Sequence, residues 1–159
     1  MNQKTAFLGI FAAVAIILGY VEALVPIPFP VPGIKLGLAN LCVLYILAKY
    51  SIKEAALISI VRIIVIGYLF GNLFGIIYGL AGAALSLTVM SLLRKYSGLS
   101  LIGISVAGGV SHNIGQLIVA ACVVENTVVF FYFPFLLVAG VVAGVLIGTL
   151  TQELAKRIH

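Results

Sequence analysis

From Ala55 to Leu93 the chain runs 39 residues with a single charged side chain, Arg62. Such a run is long enough for two membrane crossings of about 20 apolar residues each. Gly71 and Asn72 break it in the middle, which puts Arg62 near the centre of the first crossing. An arginine at bilayer centre costs about 2.5 to 3.5 kcal/mol on insertion scales. A buried carboxylate, a water-filled cavity or an anionic ligand must compensate it, and Arg62 is therefore the strongest pointer to function in the chain.

The remaining sequence is of the same kind. Of 159 residues, 64% are hydrophobic and 8% charged, which excludes an ordinary soluble domain. The fold class expected is an all-α integral membrane protein, a bundle of six transmembrane helices forming one domain over residues 1–159. Turn residues and charges place the spans at Thr5–Val25, Leu36–Ala48, Glu54–Phe70, Leu73–Leu93, Leu101–Val124 and Phe130–Leu150. The second is short for a crossing. Six spans put Lys4, Lys49, Lys53, Arg94, Lys95, Lys156 and Arg157 on one side and Lys35 on the other. The positive-inside rule then makes both termini cytoplasmic and the protein a multi-pass component of the cell membrane. The net charge of +5 reads mostly as this orientation signal. The first apolar run is too long for a cleavable signal peptide and is expected to remain as a helix.

What is missing narrows the chemistry. Cys42 and Cys122 fall inside spans, where thiols behave as small hydrophobes, and no metal-ligand spacing occurs. The chain contains no aspartate, no phosphate-binding Gly-rich loop ending in Lys-Ser/Thr and no Gly-x-Ser-x-Gly elbow. It is expected to be no enzyme, to hold no cofactor or metal, and to draw any ATP-derived energy from a partner.

Polar residues within the spans share helix faces. On the fifth segment Ser105, Gly109, His112, Asn113 and Gln116 follow three- and four-residue steps and form one stripe. Taken singly, each is as readily an interhelical hydrogen bonder as a ligand contact. Together, beside glycines 108, 109 and 115, they indicate a ligand-lining wall. Ser59 and Arg62 lie one turn apart and should face the interior. The structural alternative for Arg62 is a pair with Glu22. Lys35 serves either as an interfacial anchor or as a ligand contact. Small residues repeat at four-residue steps at Gly140, Gly144 and Gly148, at Gly75, Gly79 and Ala83, and on the first span at Gly9 with Ala13 and Ala15 with Gly19. Such stripes allow close helix packing, internal in most cases.

The strings Gly33-Ile34-Lys35-Leu36-Gly37-Leu38-Ala39-Asn40 and Gly109-Val110-Ser111-His112-Asn113-Ile114-Gly115-Gln116, with the Glu54 to Arg62 helix and the Ser86 to Met90 run, resemble the Gx transporter family. That family is also labelled heptaprenyl diphosphate synthase component I and is similar to the substrate-binding S components of energy-coupling factor (ECF) transporters. The resemblance covers nearly the whole chain. It implies six helices, a substrate pocket near the outer face, and docking to a transmembrane coupling subunit driven by a pair of ATPases. S components commonly dock through an Ala-x-x-x-Ala stripe on the first helix, whose nearest equivalents here are Gly9 with Ala13 and Ala15 with Gly19.

The expectation is a substrate-capturing S component whose pocket combines Lys35, Asn40, Arg62, His112, Asn113 and Gln116. The cations would attract a carboxylate or phosphate on a small vitamin-like solute or an isoprenoid or quinone precursor, the polar side chains would orient it, and Tyr20, Tyr68 and Tyr78 would pack its apolar portion. The alternative is a membrane accessory subunit of a heptaprenyl diphosphate synthase, with its functional residues at the rim among Lys49, Lys53, Arg94 and Lys95. No nucleic-acid partner is expected.

Overall fold

A computed structural model describes residues 2–24 and 36–158. Within them the chain forms six α-helices: α1 (Gln3–Leu24), α2 (Asn40–Lys49), α3 (Ile52–Phe70), α4 (Leu73–Tyr96), α5 (Leu101–Val124) and α6 (Phe133–Arg157), with a 3₁₀ turn (Thr127–Tyr132) leading into α6. There is no strand among the described residues.

The boundaries follow from capping chemistry. Ser51 accepts the Lys53 N–H at 3.2 Å, an N-cap that starts α3, and donates its hydroxyl proton to the Glu54 carboxylate. Asn72 starts α4 by accepting the Gly75 N–H at 2.8 Å, and Ser100 starts α5 by accepting the Gly103 N–H at 3.3 Å. Pro134 occupies the first turn of α6, where a missing N–H costs nothing.

The second segment departs from the sequence reading. Its helix starts at Asn40, four residues after Leu36, because Gly37 takes φ +74° and turns the chain, with its carbonyl accepting the Asn40 N–H at 2.8 Å. At 1.5 Å per residue this helix is about 15 Å long, half a bilayer. It is also buried all round: Cys42, Val43, Leu44, Tyr45, Ile46 and Leu47 are each at most 2% exposed. A helix hydrophobic on every face belongs inside a bundle.

Helices α1, α3, α4, α5 and α6 neighbour one another in that order, and α2 bridges α6 to α1 and α3. Four segments, α1, α4, α5 and the 3₁₀ turn with α6, are long and apolar enough to cross a membrane. Helix α3 has sufficient length but carries Lys53, Glu54 and Arg62. The bundle's exterior is apolar, with Ile10, Ile17, Leu57, Ile64, Leu69 and Val142 pointing outward, as expected for a surface facing lipid.

Two of the bundle's interfaces differ in character. The glycine stripe of α6 lies against α5 backbone to backbone: a Cβ on Gly144 would stand 2.5 Å from the Val106 Cα, and one on Gly148 2.7 Å from the Ile102 Cα. The stripe is internal packing, as its spacing suggests. At the opposite side the Tyr45 ring stacks on Phe11 (centroids 4.8 Å apart), Phe11 on Phe7 (4.7 Å), and the Tyr45 hydroxyl donates to the Ile158 carbonyl at 3.3 Å. Lys49 stands 4.7 Å from the Phe7 centroid, a cation-π contact. The Arg94 guanidinium donates to the Ala48 carbonyl at 2.5 Å, and Lys4 pairs with Glu54 at 2.6 Å. These contacts gather the start of α1, the end of α2, the start of α3 and the ends of α4 and α6 at one basic end of the bundle.

Candidate functional site

Beyond α2, toward the end away from the basic residues, the helices enclose a cavity of about 600 Å³ with walls from all six. The short α2 creates it: a ten-residue helix fills one half of the bundle's interior and leaves the other half hollow. Leu44 and Met90 lie toward its floor, and Phe70, Phe74 and Tyr132 toward its mouth.

Arg62 enters this cavity from the middle of α3, eight residues or about 12 Å before the helix ends at Phe70. Gly19 on α1 packs beside it: a Cβ there would sit 3.1 Å from Ile66 Cγ1, a tight approach, and 3.8 Å from Arg62 Cγ, an ordinary contact. The Arg62 Nε is buried with no hydrogen-bond partner. Among the described residues the ion pairs are Lys4–Glu54 and Lys156–Glu153, and Arg62 belongs to neither. Glu22 faces the same cavity, near enough for its charge to act on Arg62, but its carboxylate accepts the Gly37 N–H. The structural pairing considered for Arg62 is thus a longer-range attraction, with Glu22 committed to the turn before α2.

His112, Asn113 and Gln116 reach the cavity from α5. They are held there by close approach of α4: a Cβ on Gly82 would stand 2.8 Å from His112 Nε2 and 2.9 Å from Gln116 Cγ, and one on Gly115 would stand 2.8 Å from the Ala81 carbonyl oxygen. Asn113 Nδ2 donates to the Leu136 carbonyl at 2.7 Å, tying α5 to α6 while the residue still lines the cavity. Its structural and ligand-facing readings hold together. Gln116 is 7% exposed. Asn40, the first residue of α2, completes the set.

The structure therefore brings Asn40, Arg62, His112, Asn113 and Gln116 to one cavity, while Lys35 lies outside the described residues. Of the aromatic residues expected to pack a ligand, Tyr78 lines the cavity. Tyr68 is 85% exposed, and Tyr20 lies on the outer face with its ring tilted against Phe70, centroids 5.0 Å apart, so neither lines the cavity. Phe70, Phe74 and Tyr132 take their place, without a distinguishing signal in the sequence. The first-helix stripe also divides. Ala15 and Gly19 are buried, Gly19 against Ile66 of α3, and offer no docking surface; Gly9 and Ala13 are exposed.

Chemically the arrangement has the means to bind a small molecule. It offers one guanidinium with donor capacity to spare, three amides and an imidazole, set in predominantly apolar walls. No group of three or more metal-ligating side chains occurs among the described residues.

A family model described as heptaprenyl diphosphate synthase component I matches residues 11–154. No curated protein and no solved structure matches the chain.

Proposed function

This chain belongs to the heptaprenyl diphosphate synthase component I family, and we propose that it is a membrane-embedded, non-enzymatic binding subunit that captures a small anionic solute. The observation that carries this reading is the Arg62 guanidinium in a 600 Å³ cavity, outside every ion pair among the described residues. A charge desolvated there without a partner costs several kcal/mol, and a carboxylate or phosphate would offset that cost through charge-assisted hydrogen bonds.

In this reading all six helices traverse or enter the bilayer, α2 by half its depth, and the basic end faces the cytoplasm by the positive-inside rule. The cavity then opens toward the outer face. The solute is an anionic vitamin-like compound or an isoprenoid or quinone precursor, and the subunit works as the S component of an ECF-type transporter in the cell membrane. The likeness of the Lys35 to Asn40 and His112 to Gln116 strings to the Gx transporter family, itself similar to S components, supports this finer assignment, as does the exposure of Gly9 and Ala13 on α1.

The family's description favours one other reading, an accessory subunit of a prenyl diphosphate synthase. An aspartate-free chain with four glutamates lacks the clustered carboxylates that hold magnesium on a diphosphate, so catalysis would reside in the partner. Gentle purification separates the two. A coupling subunit with ATPases, and an anionic small molecule detected by native mass spectrometry on the wild type but absent from Arg62→Gln, supports capture and transport. A soluble prenyltransferase with no bound small molecule supports the scaffold and removes our reading.

A further inference from the structure

The cavity is chemically lopsided. Its amide, imidazole and guanidinium side chains, Asn40, Arg62, His112, Asn113 and Gln116, come from α2, α3 and α5, and α4, α5 and the 3₁₀ turn add the hydroxyls of Tyr78, Ser86, Ser105 and Tyr132. The lining contributed by α6 is wholly apolar and largely small, including Ala139, Gly140 and Ala143, and α1 adds Gly19 and Ala23 beside the single carboxylate of Glu22. Along the ring of helices every successive pair packs closely except where α6 would meet α1. Those two helices are bridged by α2 at the basic end, and α2 is only ten residues long. Above it, among the described residues, α1 and α6 make no substantial contact, although both line the cavity. On the outside both helices are apolar, with Val142 of α6 64% and Val21 of α1 41% exposed. The seam thus joins an apolar side of the cavity to an apolar exterior.

We infer that the ligand is an amphiphile: an oxyanion head held at Arg62 and the polar side chains around it, and a hydrocarbon body lying along the α1–α6 seam toward the lipid. This rests on the anion-capture reading and adds the class of molecule and its orientation. A fully hydrophilic anion would leave the apolar half of the cavity unused, and burial of hydrocarbon there adds favourable free energy in proportion to its area.

The test uses the full chain in lipid nanodiscs, with empty nanodiscs subtracted. Methyl phosphate and acetate are compared with dodecyl phosphate and laurate, and a dodecyl phosphate carrying a terminal diazirine maps the tail by photo-crosslinking and peptide sequencing. The inference expects the long-chain probes to bind at least tenfold more tightly than their short partners. It also expects Arg62→Gln to weaken phosphate or carboxylate binding tenfold or more, and crosslinks on residues 19–24 of α1 or 135–147 of α6. If Arg62-dependent binding appears but chain length alters it by less than tenfold, or if the tail crosslinks only to α3 and α4, the amphiphile assignment is overturned and anion capture stands. If no probe binds in an Arg62-dependent way, both fall. The crosslinking arm is run on the wild type, so a poorly folding variant does not remove the test.

Discussion

The Glu22 carboxylate accepts the backbone N–H of Gly37 at 2.5 Å, joining the end of α1 to the turn that starts α2. This places a negative charge on the wall that Arg62 faces without neutralising the guanidinium at contact distance. Glu22→Gln keeps a carbonyl acceptor for Gly37 and removes the charge. It should leave the melting temperature nearly unchanged and tighten binding of an anionic ligand by about two- to tenfold, the scale of a screened like-charge repulsion. Glu22→Ala strands the Gly37 donor and should cost about 1 to 2 kcal/mol of stability. Thermal unfolding and ligand titration on the same preparations check both.

Gly82 is the thinnest point of the wall behind His112 and Gln116. A methyl group there would meet His112 Nε2 at 2.8 Å and Gln116 Cγ at 2.9 Å. Gly82→Ala should displace both side chains, lowering ligand affinity tenfold or more while costing no more than about 1 to 3 kcal/mol of stability. Equal affinity in the variant and the wild type would show that these two residues do not contact the ligand.

The α5–α6 interface tolerates no added side chain at Gly144, where a Cβ would meet Val106 Cα at 2.5 Å and the Ser105 carbonyl oxygen at 2.9 Å. Gly144→Val should destabilise the protein by about 3 kcal/mol or more, since backbone cannot yield as a side-chain tip does. Gly9 has nothing within 4 Å of its Cβ position. Gly9→Ala should therefore be neutral or stabilising by up to about 1 kcal/mol through helix propensity. Gly9→Trp, in the transport reading, should stop cellular uptake with solute affinity unchanged. Uptake assays beside purified-protein titrations separate these effects.

Tyr45 contributes both an aromatic surface and a hydroxyl at the basic end. Tyr45→Phe removes the bond to the Ile158 carbonyl and the contact with Lys49 Nζ, each 3.3 Å; the expected loss is about 1 kcal/mol. Tyr45→Ala also removes the stack on Phe11 and should cost about 3 to 5 kcal/mol. Similar unfolding temperatures for the two variants would contradict the stacked arrangement.

Much of this architecture was written in local signals. Apolar runs punctuated by Ser51, Asn72, Arg94 and Ser97 define α3 and α4 closely, because capping and charge act within a turn of the residues that carry them. The polar stripe on α5 and the lone charge of Arg62 converge on one cavity because lipid gives neither an alternative partner. Other features depend on packing that no local pattern reveals. That α2 starts at Asn40 follows from a turn stabilised by Glu22, fifteen residues earlier. The outward position of Tyr68 and the inward position of Tyr78 are set by how α3 and α4 meet, and both residues sit in equally apolar surroundings in the sequence. The first-helix stripe is split between buried Ala15 and Gly19 and exposed Gly9 and Ala13 because helical rotation separates two pairs that spacing alone treats as equivalent.

The most direct test of the central claim is an experimental structure of the full chain in lipid, purified with whatever it carries. Density for an oxyanion is expected within hydrogen-bond distance of the Arg62 guanidinium, in a cavity bounded by Asn40, His112 and Gln116. A guanidinium paired with Glu22 in a collapsed, side-chain-filled interior would contradict it.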